Sequence, residues 1–449
     1  MRYESLISKI QGLTKEGIVR DPDSFSFITQ YPPPRTLLSI DSDRITQKEG
    51  FDLYVHIPFC TGKCGYCKFY SLVGQSEEVV NDYIKSIRKE VRIYQSRFHL
   101  SEREANSVYL GGGTPTYLSP QQIRGLIQIL YNSFSIKNDA ERTSETNPDT
   151  ASEKVLDTLL ELKFNRLSIG VQDFNDDTLA YIGRRHTGKQ ATEALEKARK
   201  RGFKRINIDL IYGLPTQTIE SWRINLAIVK DLMPEYVTTY HLRREKDTPI
   251  GMLDPSDFPS KEESMYLESL ERLVMLGYIQ IAPNQFALPT HTFVQQENKW
   301  KRGDELVGLG ASAYSFFEGF VYYNVRSIER YAELVEEGKL PIWIGEKVPI
   351  RDLMRRNLIF GLKTSGINRD DGGLNKRIFK NGFGISPNLV FNDELERLKE
   401  LELIEEKGDF IRLTLKGLVL SEEVCRELYS QEIKTQLDKI EDKFGRGGL

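Results

Sequence analysis

The sequence is poor in three things, and each shortage excludes something. Cysteine is the first: 449 residues hold four, at positions 60, 64, 67 and 425. So few thiols, three of them clustered, exclude a disulfide scaffold. Basic charge is the second: 62 Lys and Arg stand against 65 Asp and Glu, a formal net charge of −3. No basic footprint invites nucleic-acid phosphates. Long apolar runs are the third. None approaches the roughly 18 residues that span a bilayer, and the first 30 residues carry acids and no apolar signal core. No repeat of solenoid length is visible either. The expectation is a cytoplasmic protein with no membrane span and no nucleic-acid partner. Its length suits one barrel-sized domain and a smaller unit.

What is present concentrates in one stretch. Leu53-Tyr54-Val55-His56-Ile57 is apolar, β-branched and aromatic, and reads as a buried strand that Pro58 ends. Cys60, Cys64 and Cys67 follow with the spacing C-x3-C-x2-C. They therefore lie on the loop leaving a strand's carboxyl end, where barrel enzymes place their chemistry. Structural zinc takes four ligands; Cys425 is over 350 residues away, and His56 sits within the strand. A [4Fe–4S] cluster held by three thiolates leaves one iron without a protein ligand, and an open metal position marks a reactive site. The residues favour the cluster, with zinc as the alternative.

Strand-like and helical runs then alternate. Six strand–helix units are read between residues 51 and 245, the last strand being Tyr236–Leu242. Such alternation requires parallel strands with right-handed crossovers, in a doubly wound sheet or a partial barrel. Residues 1–50 form a polar arm in which Tyr31-Pro-Pro-Pro-Arg35 must be extended. Residues 246–350 extend the core with a helix, a strand at Tyr278–Ile281 and a glycine-rich stretch, Gly308–Ser315. Residues 351–449 read as helices around two short strands that flank Lys407-Gly408-Asp409, the order of a small winged-helix domain. Residues 388–429 hold 11 acids against 6 Lys and Arg, which opposes phosphate binding and leaves a lid or docking role.

The remaining candidates fall on or after the predicted strands. Gly111-Gly112-Gly113-Thr114-Pro115 follows the second; glycines let backbone amides approach a ligand, as in a phosphate nest. Glu145 closes the third strand, where a carboxylate needs a partner cation or hydroxyl. Gln172 ends the fourth. Arg184 suits a bidentate grip on a carboxylate. Asp209 lies between apolar strand residues, and is either a ligand for hydroxyls or half of a structural ion pair.

The three-cysteine spacing, with Tyr66 before the third cysteine, resembles the radical S-adenosylmethionine (SAM) superfamily. Tyr54-Val-His-Ile-Pro-Phe-Cys60 is similar to the branch holding oxygen-independent coproporphyrinogen III oxidases, haem chaperones, and radical methyltransferases and cyclopropanases. The resemblance covers nearly the whole chain. It implies an α/β fold, an open (β/α)6 partial barrel with a small C-terminal winged-helix-like α+β domain. It implies a [4Fe–4S] cluster on Cys60, Cys64 and Cys67, whose open iron binds SAM. Reductive cleavage of SAM then gives a 5′-deoxyadenosyl radical that abstracts hydrogen, with electrons from a donor such as flavodoxin or ferredoxin. It places Tyr54, Gly112 and Glu145 at the cluster-bound SAM, and Tyr66, Gly113, Thr114, Gln172, Arg184 and Asp209 at a second SAM.

Two departures bear on the substrate. The oxidases carry a fourth cysteine two residues after the third, followed by asparagine; here Phe69 and Tyr70 stand there. The chaperones carry H-N-x-x-Y-W; here the stretch is Glu297-Asn298-Lys299-Trp300, with only the asparagine and tryptophan matching and His291 nearby. Three readings follow: an oxidase acting on a tetrapyrrole or other small organic substrate, a two-SAM methyltransferase or cyclopropanase, and a haem chaperone without turnover.

Overall fold

The structure, a computed structural model, describes residues 30–33, 50–98, 100–254, 256, 258 and 262–444. Six parallel strands lie side by side in chain order: β1 (Gly50–Ile57), β2 (Glu104–Gly112), β3 (Ser135–Thr146), β4 (Arg166–Gln172), β5 (Ile206–Tyr212) and β6 (Tyr236–His241). Helices α1 (Glu77–Phe98), α2 (Pro120–Ser133), α3 (Glu153–Glu161), α4 (Asp176–Tyr181), α5 (Gly188–Arg201) and α6 (Ile219–Leu232) form the crossovers. Ser119, Thr187 and Thr218 start α2, α5 and α6 with reciprocal capping boxes. On α1, Val80, Tyr83, Ile84, Ile87, Val91 and Tyr94 recur at helical spacing and are buried.

Strand alternation divides the residues between two environments. Leu53, Val55 and Ile57, and likewise Leu167, Ile169 and Val171, belong to the apolar core with the helices. The intervening positions, including Tyr54, Ser168 and Asp209, face the other side of the sheet, the inside of the barrel.

The sheet is larger than the six strands read from the sequence. After α7 (Glu262–Met275), β7 (Ile279–Ala282) and β8 (Gln285–Ala287) add antiparallel strands beyond β6. On the other side β9 (Glu305–Leu309) pairs parallel with β1, and β10 (Tyr314–Phe317), β11 (Phe320–Asn324) and β12 (Ile342–Lys347) continue antiparallel. The order is β12-β11-β10-β9-β1-β2-β3-β4-β5-β6-β8-β7, with β12 and β7 at opposite ends, so the barrel is open. The stretch 308–315, taken only as glycine-rich, holds the end of β9, the turn at 310–313 and the start of β10. The strands here are short: Gly308 lies within β9, and Gly310 and Gly319 lie in the turns after β9 and β10. A Cβ on Gly308 would lie 2.1 Å from the Tyr314 carbonyl oxygen, so the close crossing there requires glycine.

The C-terminal unit contains α9 (Ile350–Leu362), which comes after α8 (Ile328–Glu336). Then come β13 (Leu374–Asn375), α10 (Lys376–Phe383), α11 (Asn392–Glu400), β14 (Ile404–Lys407) and β15 (Phe410–Leu413). The small sheet has the order β13-β15-β14, the winged-helix arrangement. This unit reaches the β7 end of the barrel, where Gln280 N–H donates to Ile367 O at 3.3 Å and Arg369 donates to Ile281 O. Near the other end, Arg356 of α9 stacks on Phe316 of β10. The segment between β8 and β9 plugs the amino-terminal mouth of the barrel. Asn298 Nδ2 donates to Asp52 Oδ1 at 3.0 Å, Gln295 Nε2 to Leu53 O at 3.1 Å, and Phe293 lies 4.0 Å below the Arg166 guanidinium.

Most of the arm at residues 1–49 lies outside the described residues. Its described piece packs on the C-terminal unit. Tyr31 is fully buried, donates its hydroxyl to Asp352 Oδ1 at 2.6 Å, and accepts from Ser430 N–H at 3.2 Å. Tyr31→Phe is expected to cost about 1–3 kcal/mol, because it strands a buried backbone donor. Thermal denaturation checks this, and an unchanged midpoint would show that the two bonds contribute nothing.

Candidate active site

The cysteines, the glycine turn, Glu145, Gln172 and Asp209 gather at the carboxyl ends of the parallel strands or just inside them, and Arg184 reaches them from after α4, whereas the stretch Glu297–Trp300 lies at the opposite mouth. β1 delivers the cysteine loop. Phe59–Cys60 pairs with Leu72–Val73 in a two-strand patch, which fixes Cys60. Cys67 N–H donates to Cys64 O at 3.1 Å, Gly65 N–H to Ile182 O at 2.9 Å, and Ile250 N–H to Gly65 O at 2.9 Å. The loop is thus pinned to α4 and to the segment after β6. All three thiols are free and half-buried, and burial pushes those of Cys60 and Cys67 above the usual thiol range. No three Cys, His, Asp or Glu side chains among the described residues converge on a single-ion site. A cubane carries each thiolate on a different iron, so its ligands stand further apart than those of one ion. His56, the alternative fourth zinc ligand, has its Nδ1 bonded to Tyr54 Oη at 2.9 Å, and burial lowers its pKa to about 4.

The glycine turn does not act as a nest. Its three amides are all used internally: Gly112 N–H donates to Glu145 Oε2 at 3.1 Å, Gly113 to Ile57 O at 2.9 Å, and Thr114 to Phe59 O at 2.8 Å. The glycines are needed for close approach instead. Gly112 has φ +114°, and a Cβ there would lie 2.7 Å from the His56 ring; one on Gly113 would lie 2.9 Å from Cys60 Sγ.

Glu145 accepts from Tyr109 Oη at 2.7 Å as well as from Gly112. Burial raises its pKa to about 7. Asp209 accepts from Asn207 Nδ2 at 2.9 Å and Ser168 Oγ at 3.1 Å, and burial raises its pKa too. Asp209 raises the pKa of Glu145, and both acids raise that of Tyr109; the Arg166 guanidinium lowers the pKa of each acid but pairs with neither among the described residues. Two half-buried carboxyls without a paired cation, facing one interior, suit a cationic ligand such as a sulfonium or an ammonium.

Gln172 ends β4 at a register shift with φ +71°, an uncommon conformation for a residue with a side chain. Arg184, after α4, donates Nη1 to Cys64 Sγ at 3.5 Å and Nη2 to Asn147 Oδ1 at 2.7 Å and to Gly170 O; its buried Nε has no partner. Thr114 Oγ1 donates to Cys60 Sγ at 3.5 Å. Tyr66 packs its ring into the apolar group of Ile182, Ile211, Leu214, Leu242 and Ile250. Tyr54 packs beside Tyr109, ring centres 6.0 Å apart. Sequence reasoning missed Tyr109, Asn147, Ser168 and Asn207. Asn147 carried one signal, its place two residues after Glu145 at the end of β3.

The site makes stability pH-dependent. Folding holds Glu145 near 7, while an unburied glutamic acid titrates at 4.5. The folded chain keeps a proton that the unfolded chain releases, so this group's contribution falls as pH rises from about 4.5 to about 7. Glu145→Gln keeps both hydrogen bonds, since the amide oxygen can accept from Gly112 and the amide can donate to Tyr109. Its thermal midpoint is expected to exceed that of the native chain at pH 8 and to match it at pH 4. An equal gap at both values would contradict the assignment.

Comparison with known proteins agrees with this geometry. Residues 54–225 match the radical SAM superfamily. An oxygen-independent coproporphyrinogen III oxidase of Salmonella typhimurium is 32% identical over 401 residues, covering 83% of this chain and 84% of that protein. The heme chaperone HemW of Bacillus subtilis is 30% identical over 377 residues, covering 83% of this chain and 97% of that protein. The solved structure of coproporphyrinogen III oxidase (HemN) from Escherichia coli superposes with a TM-score of 0.79 at 28% identity, over 90% of this chain and 96% of that one. No helix among the described residues is long and apolar enough to cross a membrane. With the strand order, the cysteine loop and these relatives in agreement, the chain belongs to the radical SAM superfamily, as a HemN-like enzyme of the coproporphyrinogen oxidase and haem chaperone family.

Proposed function

We propose that Cys60, Cys64 and Cys67 hold the [4Fe–4S] cluster, and that the barrel interior beside it binds two SAM molecules and a tetrapyrrole-like substrate. The observation that carries this reading is the pair of half-buried acids Glu145 and Asp209, which face one interior with no ion-pair partner among the described residues, the Arg166 guanidinium only partly offsetting the desolvation that raises both pKa values. When bound, the reduced cluster and SAM supply a 5′-deoxyadenosyl radical that abstracts hydrogen. The chain's own residues bind and orient. Tyr54, Gly112 and Glu145 form the subsite nearest β1–β3, where Glu145 attracts the positive end of one SAM. Tyr66, Gly113, Thr114, Gln172, Arg184 and Asp209 form the second subsite. There Arg184 keeps a buried Nε for a carboxylate, and Asp209 accepts from hydroxyls.

Residues 51–245 act as the catalytic core in this reading, and 246–350 extend it. The described part of the unit at 351–449 braces the open side of the barrel, and the described piece of the arm, residues 30–33, packs against that unit through Tyr31. Electrons come from an external donor such as a flavodoxin or ferredoxin. The cytoplasm suits four free cysteines.

Haem carriage has less support. Asn298 is bonded to Asp52, and Trp300 is 3% exposed and stacked on Phe360 at 6.0 Å, so the stretch matching the haem motif is committed to the barrel plug. Anaerobic, reduced protein with SAM and coproporphyrinogen III is expected to release CO2 and 5′-deoxyadenosine. S-adenosylhomocysteine would point to methyl transfer instead, and stoichiometric haem binding with no product to a chaperone. Cys64→Ala should abolish visible cluster absorption and SAM cleavage together; survival of both would show the site misassigned. SAM affinity should rise as pH passes upward through about 7, where Glu145 becomes ionised, and Glu145→Gln should flatten that rise.

A further inference from the structure

One side chain joins two of the three cysteines without touching either. Asn147 Nδ2 donates to Thr114 Oγ1 at 2.9 Å, and that hydroxyl donates onward to Cys60 Sγ at 3.5 Å. Asn147 Oδ1 accepts from Arg184 Nη2 at 2.7 Å, and Arg184 Nη1 donates to Cys64 Sγ at 3.5 Å. The orientation of the amide follows from its neighbours. A guanidinium has only donors, so it must meet the amide oxygen. A threonine hydroxyl whose one hydrogen points at sulfur can only accept from the amide nitrogen.

The relay is rigidly supported. Asn147 O accepts from Thr150 N–H at 3.0 Å and Ala151 N–H at 3.1 Å, which clamps the turn after β3. Thr114 is 1% exposed. Gly170 clears the space beside the relay: a Cβ there would lie 3.0 Å from Asn147 Oδ1 and 3.4 Å from Arg184 Nη2.

We propose that Asn147 is a positioning residue that tunes the reduction potential of the cluster, by aiming Thr114 and Arg184 at the sulfurs of Cys60 and Cys64. The inference rests on the reading that these cysteines hold the cluster. Hydrogen bonds to a ligating sulfur disperse its negative charge, which favours the more electron-rich reduced state. One amide sets both donors, so one substitution releases both.

Reconstituted, SAM-free full-length protein is titrated potentiometrically and followed by electron paramagnetic resonance. Asn147→Ala is expected to shift the midpoint to lower potential. At a fixed ambient potential the ratio of reduced to oxidised cluster should fall about tenfold, or about 59 mV for a one-electron couple. Thr114→Val removes the donor to Cys60 alone and should give a smaller shift in the same direction. If Asn147 acts through Thr114 and Arg184, its shift is smaller in the Thr114→Val background than in the native one. An unmoved midpoint in Asn147→Ala with full iron and sulfide content overturns the proposal, and so do strictly additive shifts. Failure of Asn147→Ala to assemble a cluster that Thr114→Val does assemble also overturns it, since Asn147 would then serve retention. Failure of the underlying reading looks different: the native chain itself would assemble no cluster.

Discussion

Parallel strands send all their carboxyl ends to one rim, and this constraint organises the whole molecule. β1 ends in the cysteine loop, β2 in the glycine turn, β3 in Glu145 and Asn147, and β4 in Gln172, while Asp209 lies within β5. Residues up to 155 positions apart in sequence therefore share one interior, Tyr54 and Asp209 among them. The side chains pointing out of the strands are apolar and pack under the helices. Those pointing in are hydroxyls, amides and acids. The same alternation that stabilises the fold thus supplies the polar interior.

That interior is poorly matched on its own. Glu145 and Asp209 are held by hydrogen bonds from Tyr109, Gly112, Asn207 and Ser168, and the Arg166 guanidinium acts on both without pairing with either among the described residues. Burial therefore keeps both acids reluctant to ionise. A cationic ligand placed beside them would favour their ionised forms. The opposite mouth of the barrel is closed by the Phe293–Asn298 plug, and the C-terminal unit contacts both arms of the open sheet. The cysteine-loop rim is then the natural way in for a substrate.

Much of this was legible in the sequence because it is written in spacing. The C-x3-C-x2-C run after an apolar strand gives the chemistry, and the alternation of strands and helices gives the parallel core. Other features depend on long-range geometry that spacing does not encode. β9–β12 are short strands separated by glycine turns, and the pairing of β9 with β1, from which the others continue, is visible only once the sheet exists. The amides of Gly112, Gly113 and Thr114 read as ligand donors, yet they are consumed by Glu145 and by the end of β1, which only the folded rim reveals. Asn147 looks like any turn asparagine after a strand; its role depends on Thr114 and Arg184, 33 and 37 residues away in the chain.

The central claim is that three thiolates hold a cubane with one iron left open for SAM. Mössbauer spectroscopy of iron-57-reconstituted, oxygen-free protein tests it most directly. The account predicts one iron subsite distinct from the others, whose isomer shift moves when SAM is added while the rest stay fixed. Four equivalent irons that ignore SAM, or a preparation that binds zinc in place of iron and sulfide, would contradict it.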